Sequence, residues 1–458
     1  MTSLKKKLLT GLIVIIFIPV LWLIIYSFLN FKSTSHLNTF IKTDYKNCNV
    51  VLIVVDTLRQ DHLTPYDYFR NTTPILDKLS KRSLVFLNNY SASNWTIPST
   101  ISMFTGVYPQ HHLVDNKYFY DSPEIKVSLD RTAPHLLTIA QYFKESGYQT
   151  AGFTGGAGVS SDAGFDKGFD LYKDDQDFVG FETTAPQAID WLKEVAELED
   201  DRHFLFLHGY DVHGQYVNGD NVEFHFSNSY NGSLEGTVDE HIKIRDQYQT
   251  KGQIFLNAED RQFLIDRYDD KILAMDERLR EFLLNYHKIV KFKNPTIFII
   301  TADHGEEWFE HGGIDHGMTL YQEVVKTPLI INLPDQIKQI KIENKTSGID
   351  LLPTILELVK IPLNENIEID GNSFVSSMKG VGSSNEVLFH SNYRHITSLR
   401  GGVNQSNEKF FVNLKEDKQE LYDLDKDEKE KHNLALKNTS KKNKMLDWLS
   451  QFFWEIKL

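Results

Sequence analysis

A single cysteine, Cys48, stands in a chain of 458 residues, so no disulfide can close within it and no thiolate cluster can hold a metal. Positive charge is also short: 49 Lys and Arg against 63 Asp and Glu leave a formal charge of −14. Proteins that read nucleic acid need a basic footprint, so nucleic acid is excluded as the main partner, and an anionic ligand has to be met by metal ions or local cations. No repeat of fixed period runs through the chain, which excludes solenoids and propeller arrays. What is present is an apolar content of 41% with 12% aromatics, enough to bury a large core in one big domain or two to three smaller ones.

Long uncharged stretches are confined to one place. Lys5, Lys6 and Lys7 precede Leu8 to Leu29, 22 residues without a charge, which is long enough to cross a bilayer as a helix. A cleaved signal peptide has a shorter apolar core and small residues at its cleavage site, whereas this run ends in Tyr26, Ser27, Phe28, Leu29 and Asn30. The expectation is a single-pass anchor in the cell membrane. The three lysines place the N-terminus in the cytoplasm and everything after residue 30 outside it. Residues 30–47 are polar and read as a linker.

Beyond the linker the pattern alternates. The apolar run Val50 to Val55 reads as a buried strand that delivers Asp56 at its carboxyl end, the end at which open α/β sheets bind ligands. Helices are predicted over Thr73–Leu84, with Pro74 in the first turn, and over His135–Ser146, Pro186–Glu197, Ala258–His287 and Ile349–Lys360. Strands are predicted over Tyr148–Phe153, Phe204–His208 and Thr296–Thr301, the last followed closely by Asp303 and His304. This rhythm implies an α/β fold, a mostly parallel central sheet flanked by helices. The main domain is expected over 48–384 and a small C-terminal α+β subdomain over 385–458.

Four segments gather residues suited to chemistry: Asp56-Thr57; Thr96 to Thr100; His208 to Gly214, with Asp211 and His213; and Asp303 to Glu307, continued through His311 to His316. Asp56, Asp303 and His304 offer hard oxygen and borderline nitrogen donors for a divalent ion such as Zn, Mn, Mg or Ca. Thr96 precedes a helix expected to open at Ser99, where backbone N–H groups favour an anion. Its hydroxyl, sharing the metal, is a candidate nucleophile; the alternative is an ordinary helix cap. Asp211, His213 and His316 could meet across one cleft, with His316 either a ligand of a second metal together with the other two or a proton donor to the leaving group. His208 and His311 are weaker candidates, each explained as well by a core or surface histidine.

In these segments the chain resembles the sulfatase branch of the alkaline phosphatase superfamily, and the resemblance runs on to Glu420-Leu-Tyr422-Asp423-Leu424 and Asn433-Leu434. The resemblance implies an alkaline phosphatase-like fold and one or two divalent metal ions. It also implies that His213 contacts the transferred group and that His316 stands where the family often has a lysine. Three positions depart from the pattern. Formylglycine-dependent members need Cys or Ser where Thr96 stands, so no formylglycine is expected. Thr100 replaces a supporting arginine, and Thr57 replaces the second of two paired aspartates. Such changes are similar to those in phosphodiesterase, phosphonate-ester hydrolase and phosphoethanolamine or phosphoglycerol transferase relatives. The expected activity is hydrolysis of sulfate or, preferentially, phosphate esters on a small molecule, glycan or lipid. A transferase acting on envelope lipids or glycans is the alternative, and a silent lipid-binding scaffold the third reading.

Overall fold

Seven buried residues in a row, Asn49–Val55, form the strand β1. A strand that is apolar on both faces needs neighbours on both sides and a layer above and below. The computed structural model supplies all four; it describes residues 44–214, 223, 225–291, 294–382 and 385–456. The central sheet is completed by β2 (Leu84–Tyr90), β3 (Gln149–Phe153), β4 (Leu171–Lys173), β5 (His203–Gly209), β6 (Thr296–Thr301), β7 (Lys326–Thr327), β8 (Leu329–Asn332) and β9 (Ile340–Ser347). Their order is β7-β2-β8-β6-β1-β5-β3-β4, with β9 paired to β2. β1 lies parallel to β5 and to β6, with Val50 opposite Phe204 on one side and Ile297 on the other.

The sheet is mixed rather than mostly parallel at one end: β8 runs antiparallel to both β2 and β6, and β7 antiparallel to β2. The reason lies between β6 and β8. A parallel return requires a long crossover, usually helical, and the helix found there, Gln322–Val325, is a single turn.

Helices cover both faces. On one face α4 (Phe181–Val195) and the 33-residue α6 (Ala258–Val290) bury Phe181, Leu192, Phe263, Ile272 and Leu279 against Val51, Ile53 and Val55 of β1. On the other lie α2 (Thr96–Thr105) and α3 (Ile139–Glu145). Phe104 of α2 meets Phe206 edge-on at 4.8 Å, and Phe143 of α3 stacks on Phe204 at 4.6 Å. α3 starts at a reciprocal capping box between Thr138 and Gln141. Helix α1 (Pro74–Ser80) is shorter than its apolar pattern suggests, because Leu84 already belongs to β2. α4 begins five residues before Pro186: the Asp211 carboxylate accepts the Phe181 N–H at its N-terminus, at 3.1 and 3.0 Å to its two oxygens. α5 (Val238–Lys251) and α7 (Leu351–Val359) also belong to this part.

After residue 385 the strands β10 (Val387–Ser391), β11 (Leu399–Val403), β12 (Glu408–Asn413) and β13 (Lys418–Asp423) form an antiparallel meander. Helix α8 (Thr439–Ser450) closes one face of it through Met445 and Leu449, packed with Phe410 and Leu421. Among the described residues no helix is long and apolar enough to cross a membrane. The anchor expected over Leu8–Leu29 lies outside the described residues.

Candidate active site

Three adjacent parallel strands deliver the polar groups. Asp56 follows β1, His208 lies near the end of β5 with His213 beyond it, and Asp303-His304 follow β6. Parallel pairing puts all of these at one sheet edge, where Asp56, His208, Asp303 and His304 are fully buried. Thr57, at φ 58°, holds the first turn: its N–H donates to Asp303 Oδ1 at 3.3 Å, and Tyr268 Oη donates to its carbonyl at 2.7 Å. A β-branched residue with positive φ is a conformational outlier, sustained here by these two long-range bonds.

The two carboxylates lack compensation. Asp56 Oδ1 and Asp303 Oδ2 are buried without a hydrogen-bond partner, and among the described residues their charged-group contacts are histidines only. Burial first, and then the charge on Asp303, push the Asp56 pKa well above the carboxylate range. Neighbouring acids with orphan oxygens and no lysine or arginine between them fit a divalent cation. His304 fits it as well. Its Nδ1 donates to the Gly305 carbonyl at 2.9 Å, which leaves the Nε2 lone pair aimed inward, 3.4 Å from Thr96 Oγ1 and 3.6 Å from Asp303 Oδ2. Burial lowers its pKa to about 4, so the ring is neutral. His208 sits differently. The Gly155 N–H reaches its Nδ1 at 3.4 Å, which assigns the ring proton to Nε2, 3.9 Å from Asp56 Oδ2. It faces Asp56 as a donor rather than as a lone pair.

Thr96 is the first residue of α2, and Trp95 occupies the cap position in extended conformation with no side-chain capping bond. The hydroxyl is therefore not spent on helix capping. It donates to Asp56 Oδ2 at 3.1 Å. The helix opens at Thr96 itself, three residues earlier than expected, and Ser99 ties it to the metal-ligand turn by donating its Oγ–H to the Asp303 carbonyl at 2.5 Å. A Cβ on Gly158 would come within 3.1 Å of Thr96 Cγ2, so that glycine is the wall behind the threonine methyl.

His213 and His316 flank this centre with rings 5.2 Å apart, and the His304 and His316 rings are 4.5 Å apart. His213 Nε2 lies 3.9 Å from Asp56 Oδ1. His316 Nδ1 lies 2.9 Å from Asp315 Oδ1 and 3.2 Å from Glu306 Oε1. Burial lowers the His316 pKa, but Asp315 and Glu306 outweigh it and hold the ring protonated well above its ordinary range. His316 thus sits between two carboxylates that favour its charged form, and Glu306, Asp315 and His316 also lie close enough to one another to hold a metal ion.

Two candidates lie elsewhere. Asp211 does not join His213 and His316: its side chain caps α4 and pairs with Arg278 Nη1 at 3.0 Å, in a different cavity. Alternate residues past a strand end can point to opposite sides, and here Asp211 and His213 do. His311 stacks on Tyr321 at 3.5 Å and pairs with Glu323 at 2.6 Å, a structural role at the C-terminal sheet. The acids that do meet His316 are Glu306 and Asp315. Both stand inside the segments singled out in the sequence, although no role was assigned to either there. Nothing local announced the rim. A cavity of about 370 Å³ opens over Thr96, His213 and His316, and its wall also carries Trp95, Lys117, Tyr393 and Arg394, with Arg245 from α5.

Comparison with known proteins bears on this geometry. A model of the family described as Sulfatase matches residues 48–361, and one described as N-sulphoglucosamine sulphohydrolase, C-terminal, matches residues 309–455. A Delta 4,5-hexuronate-2-O-sulfatase of Bacteroides thetaiotaomicron is 23% identical over 422 residues, covering 84% of each chain. Among solved structures, a 2-O GAG sulfatase superposes with a TM-score of 0.70 at 20% identity, over 89% of this chain and 92% of that one. The phosphonate monoester hydrolase of Agrobacterium radiobacter superposes with a TM-score of 0.67 at 15% identity, over 90% and 96%.

Proposed function

Because this chain belongs to the sulfatase family of ester hydrolases, we propose that it cleaves sulfate or phosphate esters with Thr96 as the nucleophile. The observation that supports this reading is the placing of one hydroxyl: Thr96 Oγ1 lies 3.1 Å from Asp56 Oδ2 and 3.4 Å from His304 Nε2, at the mouth of the α2 N-terminus and uninvolved in capping. A divalent cation held by Asp56, Asp303 and His304 would favour the ionised hydroxyl and neutralise charge developing on the non-bridging oxygens of the ester.

The chain's own residues supply the rest. Asp56 accepts the Thr96 hydrogen bond and orients Oγ1 toward the cavity. The His316 imidazolium, held by Asp315 and Glu306, donates a proton to the departing ester oxygen, and His213 on the same wall hydrogen-bonds the transferred group. Water then releases the group from Thr96. An unmodified threonine has no aldehyde hydrate to collapse, so this release is a second displacement at phosphorus or sulfur. Phosphate esters are placed ahead of sulfate esters because Thr96, Thr57 and Thr100 stand where formylglycine-dependent sulfatases carry other residues. We further propose that Leu8–Leu29 holds the domain at the outer face of the cell membrane, on the strength of its 22 uncharged residues behind three lysines.

The test is turnover of aryl phosphate, bis-aryl phosphate and aryl sulfate by the full chain, beside Thr96→Ala and Thr96→Ser. Alanine is expected to lower kcat by roughly 10⁴-fold or more, with serine retaining measurable turnover. Equal rates for wild type and Thr96→Ala contradict the reading, and a strong preference for aryl sulfate contradicts the order of substrates.

A further inference from the structure

At the sheet edge opposite the Thr96 cavity lies another cavity, of about 590 Å³. It opens where β6 begins and where β8, running antiparallel, ends, so Pro295 and Thr296 share its wall with Asn332 and Pro334. Its apolar lining is Ile75 and Leu79 of α1, Leu283 and Val290 of α6, and Phe298 of β6. Lys78 of α1 and Arg82 just beyond it also line the cavity, and both are exposed. Neither forms an ion pair with an acid among the described residues. The nearby acids are engaged: Asp77 by Lys81 at 2.8 Å, and Asp201 by the Asn294 amide at 2.5 Å. The surface beside the cavity repeats the mixture of apolar and basic groups. Leu284, 48% exposed, stands one turn before exposed Lys288 on α6, and Ile337, 82% exposed, precedes exposed Lys338 on the loop after Pro334. Gln339 ties that loop to the end of α1 by donating its Nε2–H to Ser80 Oγ at 3.0 Å. Protruding apolar side chains among uncompensated cations suit the interface of an anionic bilayer. The same edge receives the chain from its N-terminal side. Asn49, the first residue of β1, donates its N–H to the Pro295 carbonyl at 2.8 Å, and Tyr45 lies near Asp335, whose charge adds to burial in raising the Tyr45 pKa. Residues 30–43, which separate Leu29 from the start of the described domain, reach no further than about 50 Å when fully extended.

We propose, resting on the membrane attachment proposed above for Leu8–Leu29, that this edge of the domain docks on the bilayer, its cavity taking the headgroup and upper acyl region of an anionic phospholipid. Lys78 and Arg82 meet the phosphate, and Leu284 and Ile337 enter the headgroup layer beside it. A second copy of the chain fits less well, because two faces that each carry uncompensated cations repel one another. Docking fixes the direction in which the active site opens. β1 runs from Asn49 at this edge to Val55, with Asp56 beyond it, a span of roughly 23 Å at about 3.3 Å per residue. The Thr96 cavity therefore opens at the far edge of the sheet, away from the lipid. The ester that enters it is carried by a molecule outside the bilayer surface and is not the headgroup of a lipid in the same membrane.

Full-length protein in lipid nanodiscs would be followed by amide hydrogen exchange, comparing discs of phosphatidylcholine alone with discs that contain phosphatidylglycerol. Exchange over residues 78–83, 283–290 and 333–338 is expected to slow at least tenfold in the phosphatidylglycerol discs at low salt. The difference is expected to vanish in molar salt and in the double variant Lys78→Glu with Arg82→Glu. Equal exchange in the two kinds of disc, or slowing that the double variant retains, overturns the inference. Ile337→Asp, which alters only an exposed loop, gives a second reading: it is expected to shrink the difference, and an undiminished difference counts against the face. Slowing that follows protein concentration rather than lipid makes a second copy the occupant and also overturns the inference. Alkaline extraction from vesicles tests the attachment separately. Should the chain be released by it, flotation with phosphatidylglycerol vesicles decides: binding that the double variant loses supports the docking face, and absence of binding overturns it.

Discussion

Two buried charged sites in this molecule are built on opposite principles. In the C-terminal sheet Lys409 and Glu430, both fully buried, face each other at 2.8 Å, one cation for one anion. At the end of β1 the buried pair is Asp56 and Asp303, two acids whose oppositely charged neighbours among the described residues are histidines only. A matched pair in a low-dielectric interior is self-sufficient once its desolvation is offset. A like-charged pair needs an added positive charge, whether a proton or a cation. The difference teaches where this chain stores an unfilled electrostatic demand, and the demand coincides with the threonine hydroxyl. A fourth buried acid shows the proton solution: Asp276 accepts the Ile75 and Leu76 N–H groups at the start of α1, yet burial raises its pKa to about 7.

Breaking each site separates them, and the largest effect belongs to the unmatched pair. Asp303→Asn is expected to lower kcat by about 10²-fold or more, while raising the melting temperature of chelator-treated protein, because one of two repelling carboxylates is gone. A melting temperature that falls instead would remove the contrast with the C-terminal pair. Next in size, Lys409→Met strands Glu430 and is expected to cost about 3–5 kcal/mol in denaturant unfolding, whereas Lys409→Met with Glu430→Met should lie near wild type. The third variant, Asp276→Asn, is read per pH unit. A carboxyl whose folded pKa stands above its unfolded value contributes stability that is present below about pH 4 and lost as pH rises through about 7. The wild type should therefore lose up to about 1.4 kcal/mol per pH unit across that window, the ceiling for one proton. The variant should show a flatter profile in the same unfolding titration.

How much of this was legible beforehand depends on whether a residue's role is set locally. Asp56 and the Asp303-His304 pair were legible because each follows an apolar strand closely, and strand ends in parallel sheets converge. Thr96 was legible through the helix beginning beside it, although the helix starts at the threonine itself. Asp211 was misread because a residue after a strand end can turn to either side, and the N-terminus of α4 captured it. The antiparallel β8 was missed since no sequence pattern records the lack of a crossover helix between β6 and β8. Arg394 and Lys117 were invisible because loops far apart in the chain bring them to one rim. The helix over Leu8–Leu29 remains an expectation from hydropathy.

The most direct test of the unfilled demand at β1 is the metal content of the purified full-length chain, measured by plasma mass spectrometry beside Asp303→Asn and Lys409→Met. One equivalent of a divalent metal in the wild type and in Lys409→Met, and its loss from Asp303→Asn, is the predicted result. Metal-free wild-type protein that still turns over ester substrates, or an Asp303→Asn chain that keeps its full equivalent, would contradict the account.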